Sequence, residues 1–111
     1  MEQPNLFDNN ARSVENETVI LYALGEFQSR GKTLAGRELA LDRLRGAFKR
    51  AAEKFAVAEF SDETIAENLG KLGAKILRVP SFVAKHPFRV TVQNELAEKA
   101  KEFYKNALEN D

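Results

Sequence analysis

Apolar residues in this chain of 111 residues recur at two different spacings, and the change between them limits the fold. Over most of the chain they recur every three or four residues, which is typical of amphipathic α-helices. Phe88, Val90 and Val92 instead alternate with polar residues, as in a half-buried β-strand. A second strand is predicted at 74–79. Because residues 80–87 begin and end with proline, an antiparallel hairpin is the simplest connection between the two strands.

The remaining apolar pattern predicts four helices. The first spans about 15–29, and the second begins at Thr33 and continues for about 24 residues, with a break near Gly46 left open. A third helix is predicted at 61–72, where Ser61 is a strong N-cap, and a fourth begins at residue 94. The second helix packs centrally in its own domain or, less simply, forms a coiled coil, because four of its apolar residues recur at intervals of seven: Leu34, Leu41, Phe48 and Phe55.

These elements predict a mostly helical α+β fold, with a two-stranded antiparallel hairpin between helices three and four. The length suits one domain, at 13–111. Residues 1–12 contain few apolar side chains, so we expect a flexible N-terminal arm in which Leu6 and Phe7 contact the core or a partner.

Composition excludes several function classes. The chain has no cysteine and one histidine, which excludes disulfides, thiolate nucleophiles and the usual zinc ligand sets, so we expect no metal and no cofactor. Ser81 and His86 lie close in sequence, but no third group orients either one, so we do not expect an enzyme. Without a signal peptide or an apolar run of about 20 residues, the chain is expected to be soluble and cytoplasmic.

Charge is unevenly distributed along a chain that is neutral overall. No acidic residue lies between Glu67 and Glu95, where average composition predicts about four. A surface of one charge recruits partners of the opposite charge, so this segment predicts contact with a polyanion or an acidic protein. The other interpretation is a solvated sheet face along which the basic side chains extend. The basic residues and the histidine of this segment are Lys71, Lys75, Arg78, Lys85, Arg89 and His86.

A second group of eight basic residues lies between residues 30 and 54. Three acidic residues lie in the same interval, so part of this charge is expected to be paired at helical spacing on a solvated helix face. The eight are Arg30, Lys32, Arg37, Arg43, Arg45, Lys49, Arg50 and Lys54.

The order of helix, helix, short turn, helix, strand, basic loop, strand and helix resembles that of winged helix–turn–helix domains, over about 80 residues. The resemblance implies that 61–72 is the recognition helix and that 74–92 is the wing, with Lys85 and His86 near its tip. It also implies DNA binding, with wing cations at phosphates. The segment Gly70 to Gly73 also matches the GxxG of KH domains, although a helix end explains it better.

We therefore expect a non-enzymatic domain that binds DNA, in preference to RNA, and acts as a small transcriptional regulator. The third helix begins with acidic residues, so contact with the phosphate backbone by the hairpin is favoured over groove reading. A homodimer through the first and last helices would strengthen a weak contact. The alternative is a protein-interaction module that uses its apolar helix faces. The expected nucleic-acid contacts are Asn68, Lys71, Lys75, Arg78, Lys85, His86 and Arg89.

Overall fold

The computed structural model describes residues 3–80 and 88–109, with side chains from Asn16 onward within those ranges. The described part is α+β and mostly helical, which confirms the predicted fold class. It contains four α-helices, one 3₁₀ turn and three strands. In chain order these are α1 (Gln3–Ser29), β1 (Glu38–Ala40), the 3₁₀ turn Leu41–Leu44, α2 (Arg45–Lys54), α3 (Asp62–Lys71), β2 (Lys75–Arg78), β3 (Phe88–Thr91) and α4 (Asn94–Glu109).

Strand β3 is the centre of a three-stranded sheet with the order β1-β3-β2, and both pairings are antiparallel. The hairpin predicted on either side of residues 80–87 is confirmed as the pairing of β2 with β3. The alternating side chains Phe88, Val90 and Val92 are at most 7% exposed and form the sheet's contribution to the core. Strand β1 is not among the predicted elements.

The helix predicted to begin at Thr33 is wrong over its first half. Gly36 has φ +71°, in the left-handed region that favours glycine, and its backbone N–H donates to the Val92 carbonyl at 2.8 Å. This hydrogen bond joins the chain to the edge of the sheet just before β1. The helix begins only at α2, so the interruption lies before Gly46 rather than at it.

Helices α1 and α4 pack antiparallel and in close contact. Gln28 Nε2 donates to the Ala97 carbonyl at 3.0 Å, and one turn back along α1 Gly25 faces Ala100. A Cβ atom on Gly25 would lie 2.5 Å from the Ala100 carbonyl oxygen, so glycine allows this approach. The apolar sides of these two helices largely cover each other within one chain. Dimerisation through them stays a prediction.

The start of α3 follows the predicted capping pattern. Ser61 is the N-cap, and its Oγ accepts a hydrogen bond from the Thr64 backbone N–H at 3.2 Å. Arg45 Nη2 lies 2.6 Å from Asp62 Oδ1, which joins the start of α2 to the start of α3. The pair therefore joins the first turns of the two helices, and Ser61 caps the second of them.

Helix α1 begins at Gln3, about three helical turns earlier than the predicted start near residue 15. It therefore includes most of the segment predicted to be an arm. The side chains of Leu6 and Phe7 lie outside the described part, so their contacts stay a prediction. None of the helices, over the residues described, combines the length and the apolar character needed to cross a bilayer.

Candidate nucleic-acid interface

The register of the sheet determines which side chains share a surface. Residues directly opposite one another on antiparallel strands lie on the same face, and so do alternate residues along one strand. Leu77 lies opposite Arg89, and Lys75 lies opposite Thr91, so these four share the face that points away from the core. We call this the outer sheet face, which consists of Lys75, Leu77, Arg89 and Thr91, with Glu38 and Ala40 from β1.

The two cations of the outer sheet face have no acidic partner within the described ranges. No described carboxylate forms an ion pair with Lys75 or Arg89. Glu38 is on the same face: it is a diagonal neighbour of Arg89 on the adjacent strand, with which it forms no described ion pair, and it lies two strands away from Lys75. Two strand spacings separate their backbones by about 10 Å, too far for a direct pair. Residues 68–94 contain no acidic residue, but the fold brings Glu38 of β1 to the edge of the same sheet face.

Arg78 does not join these cations. It lies opposite Phe88, whose side chain is buried, so its side chain starts from the core-side face of the sheet. Its guanidinium carbon is 5.1 Å from the centroid of the Phe88 ring, a cation–π contact. Arg78 is three residues from Lys75, and an odd separation in a strand places two side chains on opposite faces. The spacing of three residues therefore already places Arg78 on the opposite face from Lys75 once residues 74–79 are taken as a strand.

Asn68 and Lys71 lie elsewhere, on α3, in a cleft of about 350 Å³ between α3 and α1. The amide of Asn68 donates to the Thr64 carbonyl at 2.8 Å, so part of its hydrogen-bonding capacity is used within the helix. Lys71 Nζ is 3.9 Å from Glu67 Oε2, and Glu17 of α1 lines the same cleft. Two carboxylates beside one lysine make this cleft a poor place for phosphate.

Lys85 and His86 belong to residues 81–87, outside the described part, and their contacts stay a prediction. Of the seven expected contact residues, the structure brings together two, Lys75 and Arg89. Asn68 and Lys71 share the α1–α3 cleft, and Arg78 is on the other face of the hairpin.

Leu77 is a member of the outer sheet face that sequence reasoning missed. Its side chain is 46% exposed, whereas its neighbour Ile76 points toward α3. The two adjacent apolar residues fit either orientation of the strand, so alternation within β2 alone leaves the buried one undetermined. Pairing with β3 decides it, because Ile76 lies opposite the buried Val90.

Part of the second basic group is used inside the fold. Glu26 of α1 is 6% exposed and accepts two hydrogen bonds from Arg50, at 2.7 and 2.8 Å, and one from Arg30 at 2.7 Å. Burial by itself raises the pKa of Glu26, but the hydrogen bonds and charges of both arginines outweigh it, and the pKa is lowered from its ordinary value. This cluster ties α1 to α2.

The described residues contain no group of three or more His, Cys, Asp or Glu side chains that could hold a metal ion. Comparison of this chain with protein-family models, with curated proteins and with solved structures finds no match. The outer sheet face, with its two cations and one exposed leucine, is therefore the surface on which a function is proposed.

Proposed function

We propose that this chain is a non-enzymatic nucleic-acid-binding domain that contacts the phosphate backbone of DNA, in preference to RNA, through its β2–β3 hairpin. The observation that carries the proposal is the outer sheet face, where Lys75 and Arg89 project together without a described acidic partner. Cations that the fold does not neutralise are the groups that can release counterions from a polyanion.

The order of the elements also supports the proposal. Helix α2, a short connection, helix α3 and the antiparallel hairpin follow one another as in the winged helix–turn–helix domains that the sequence resembles. In such a domain the hairpin contributes backbone contacts, which position the protein without reading the base sequence. A role as a small transcriptional regulator follows from this resemblance.

Asn68 and Lys71 are not part of the proposed interface. A recognition helix reads base edges with exposed side chains at its start, and α3 begins with Asp62 and Glu63. Its exposed side also shares the cleft that contains Glu17. Phosphates approaching this side would meet carboxylates, so we expect binding with little dependence on base sequence.

The expected affinity is modest and dependent on salt. If two phosphates are neutralised, the affinity for a duplex falls by about tenfold when salt rises from about 50 to about 200 mM. The experiment is fluorescence anisotropy of a labelled duplex and a labelled single strand at both salt concentrations. Absence of binding to either at the lower concentration contradicts the proposal and favours the protein-interaction alternative.

A matched pair of charge reversals tests the location of the site. Lys75→Glu combined with Arg89→Glu is expected to abolish the salt-dependent binding. Lys101→Glu combined with Lys105→Glu changes the net charge by the same amount on α4, where both side chains are exposed, and is expected to leave most of the binding in place. Equal losses in the two variants would mean that total charge, rather than the outer sheet face, drives binding.

A further inference from the structure

The outer sheet face contains an apolar side chain that phosphate contact alone does not explain. Leu77 is 46% exposed, and the other large apolar side chain of high exposure in the described ranges is Leu108 of α4, at 49%. Leu77 lies opposite Arg89 and two residues from Lys75 on the same strand. An exposed leucine next to two cations without described acidic partners matches a ligand that is anionic and also offers apolar surface.

Resting on the proposed function, we infer that the ligand is a single-stranded nucleic acid, with an unpaired base packed on Leu77 and its flanking phosphates at Lys75 and Arg89. Strand spacing and the rise along a strand place both cationic positions within about 7 Å of the Leu77 backbone. Long basic side chains at that separation reach the phosphates on either side of one base. The base supplies the apolar surface, and the phosphates supply the charge.

A duplex fits this face less well. Its bases are paired and stacked, so the outer sheet face would contact phosphates, and Leu77 would be placed against charged groups. Reaching a base inside a duplex requires a step to be unstacked or the helix to be bent, which lowers affinity by about a hundredfold. Covering a half-exposed leucine raises affinity by only about fivefold. The face is therefore too small to offset the deformation of a duplex, whereas a single strand requires none.

An anionic membrane offers the same combination of charge and apolar surface. Basic sites that hold anionic lipid contain clusters of about four to eight cations or a broad apolar face. The outer sheet face has two cations and one leucine, on strands of four residues each. This small area favours a single strand, and membrane binding becomes an outcome of the test.

The test compares a labelled thymidine homopolymer of about 16 nucleotides with the duplex formed by adding its adenine complement, at about 50 mM salt. We expect the single strand to bind about fivefold more tightly than the duplex, which is the gain from covering Leu77. Leu77→Ala is expected to weaken single-strand binding by about fivefold and to leave duplex binding unchanged. Leu108→Ala, the matched removal of an exposed leucine, is expected to change neither.

A second variant separates loss of contact from loss of folding. Leu77→Phe gives the base an aromatic surface and is expected to tighten single-strand binding by about fivefold, in a protein whose melting by circular dichroism matches the parent. Equal affinity for duplex and single strand, or equal effects of Leu77→Ala and Leu108→Ala, overturns the inference while leaving the proposed function standing. Absence of binding to both nucleic acids overturns the proposed function as well, and so does binding to phosphatidylserine vesicles alone.

Discussion

Two regions of this molecule use basic side chains in different ways. On the helical side, Arg30 and Arg50 donate to Glu26, a carboxylate that is 6% exposed and that joins α1 to α2. On the outer sheet face, Lys75 and Arg89 project toward solvent with no described acidic partner. Both regions are rich in cations in the sequence, but Arg30 and Arg50 are bound to a buried carboxylate, whereas Lys75 and Arg89 are not.

Burial of the acid accounts for this difference. A carboxylate removed from water is stabilised by charged hydrogen-bond donors, and Arg30 and Arg50 supply them to Glu26 in the folded chain. On the sheet, water already solvates the cations; the acid on the same face, Glu38, is two strands away from Lys75 and forms no described ion pair with Arg89 on the adjacent strand. Counting charges along a chain therefore does not distinguish cations that form structural ion pairs from cations that are available to a ligand. The tertiary structure determines which acid, if any, lies next to each cation.

The largest effect is expected on the helical side, at the contact between α1 and α4. Gly25→Ala would place a Cβ atom 2.5 Å from the Ala100 carbonyl oxygen and in collision with Tyr104 Cβ, so the helices must separate. We expect a loss of about 3 kcal/mol in the free energy of unfolding, measured by urea denaturation. Gly70→Ala is the control, because its nearest neighbour would be Ile76 Cγ1 at an ordinary 3.8 Å. A similar loss in both variants would contradict the close packing of α1 on α4.

Removal of the Glu26 charge is expected to have the next largest effect. Glu26→Gln leaves Arg30 and Arg50 without their buried counterion, and we expect a loss of about 2 kcal/mol in the free energy of unfolding. The value is below that of a fully buried pair because the two arginine side chains are 53% and 40% exposed. Asp62→Asn, at an exposed pair with Arg45, serves as the control and should cost less than about 1 kcal/mol. Equal losses would place Glu26 among ordinary surface pairs.

The same variant predicts a dependence on pH. Because the pKa of folded Glu26 is lowered from its ordinary 4.5, the unfolded chain takes up the proton first as pH falls. The stabilisation by Glu26 is therefore fully present above about 4.5 and is lost as pH falls through the lowered pKa. Urea denaturation across this interval should show the stability of the parent approaching that of Glu26→Gln. A constant difference down to strongly acidic pH would show that the pKa is not lowered.

The smallest effect on stability is expected on the outer sheet face. Lys75→Glu combined with Arg89→Glu breaks no described ion pair, so the free energy of unfolding should change by less than about 1 kcal/mol. The same double variant is expected to abolish nucleic-acid binding. Its thermal melting is therefore the control that separates loss of binding from loss of folding. If its loss of stability matched that of Glu26→Gln, the two regions would not differ in the proposed way.

Elements whose cause is local were predictable from the sequence. Ser61 was expected to cap α3 and does so, and Gly73, with φ +104°, ends that helix as its position predicted. The alternation of Phe88, Val90 and Val92 predicted β3 and its buried side. These features depend on residues within one turn or one strand of each other.

Strand β1 could not be predicted in the same way. Leu34 and Leu41, seven residues apart, fit one face of a helix, whereas Leu39 and Leu41, two residues apart, fit one side of a strand, and all three are buried. A strand of three residues exists here because Leu39 pairs with Val90, about 50 residues later in the chain. Tertiary pairing overrides a weak local preference, and the predicted long second helix was wrong for this reason.

In the candidate site, too, some features have local causes and others depend on tertiary structure. By itself the sequence determined the mostly helical α+β class, the hairpin, and the presence of unbalanced basic residues near it. The tertiary structure decided which of those residues share a surface, placing Lys75 and Arg89 beside Leu77 and moving Arg78 to the opposite face. It also decided which cations meet an acid, since Arg50 finds Glu26 across 24 residues of chain. Helix caps and spacing are local properties, whereas register and ion pairing depend on distant residues that meet only when the chain has folded.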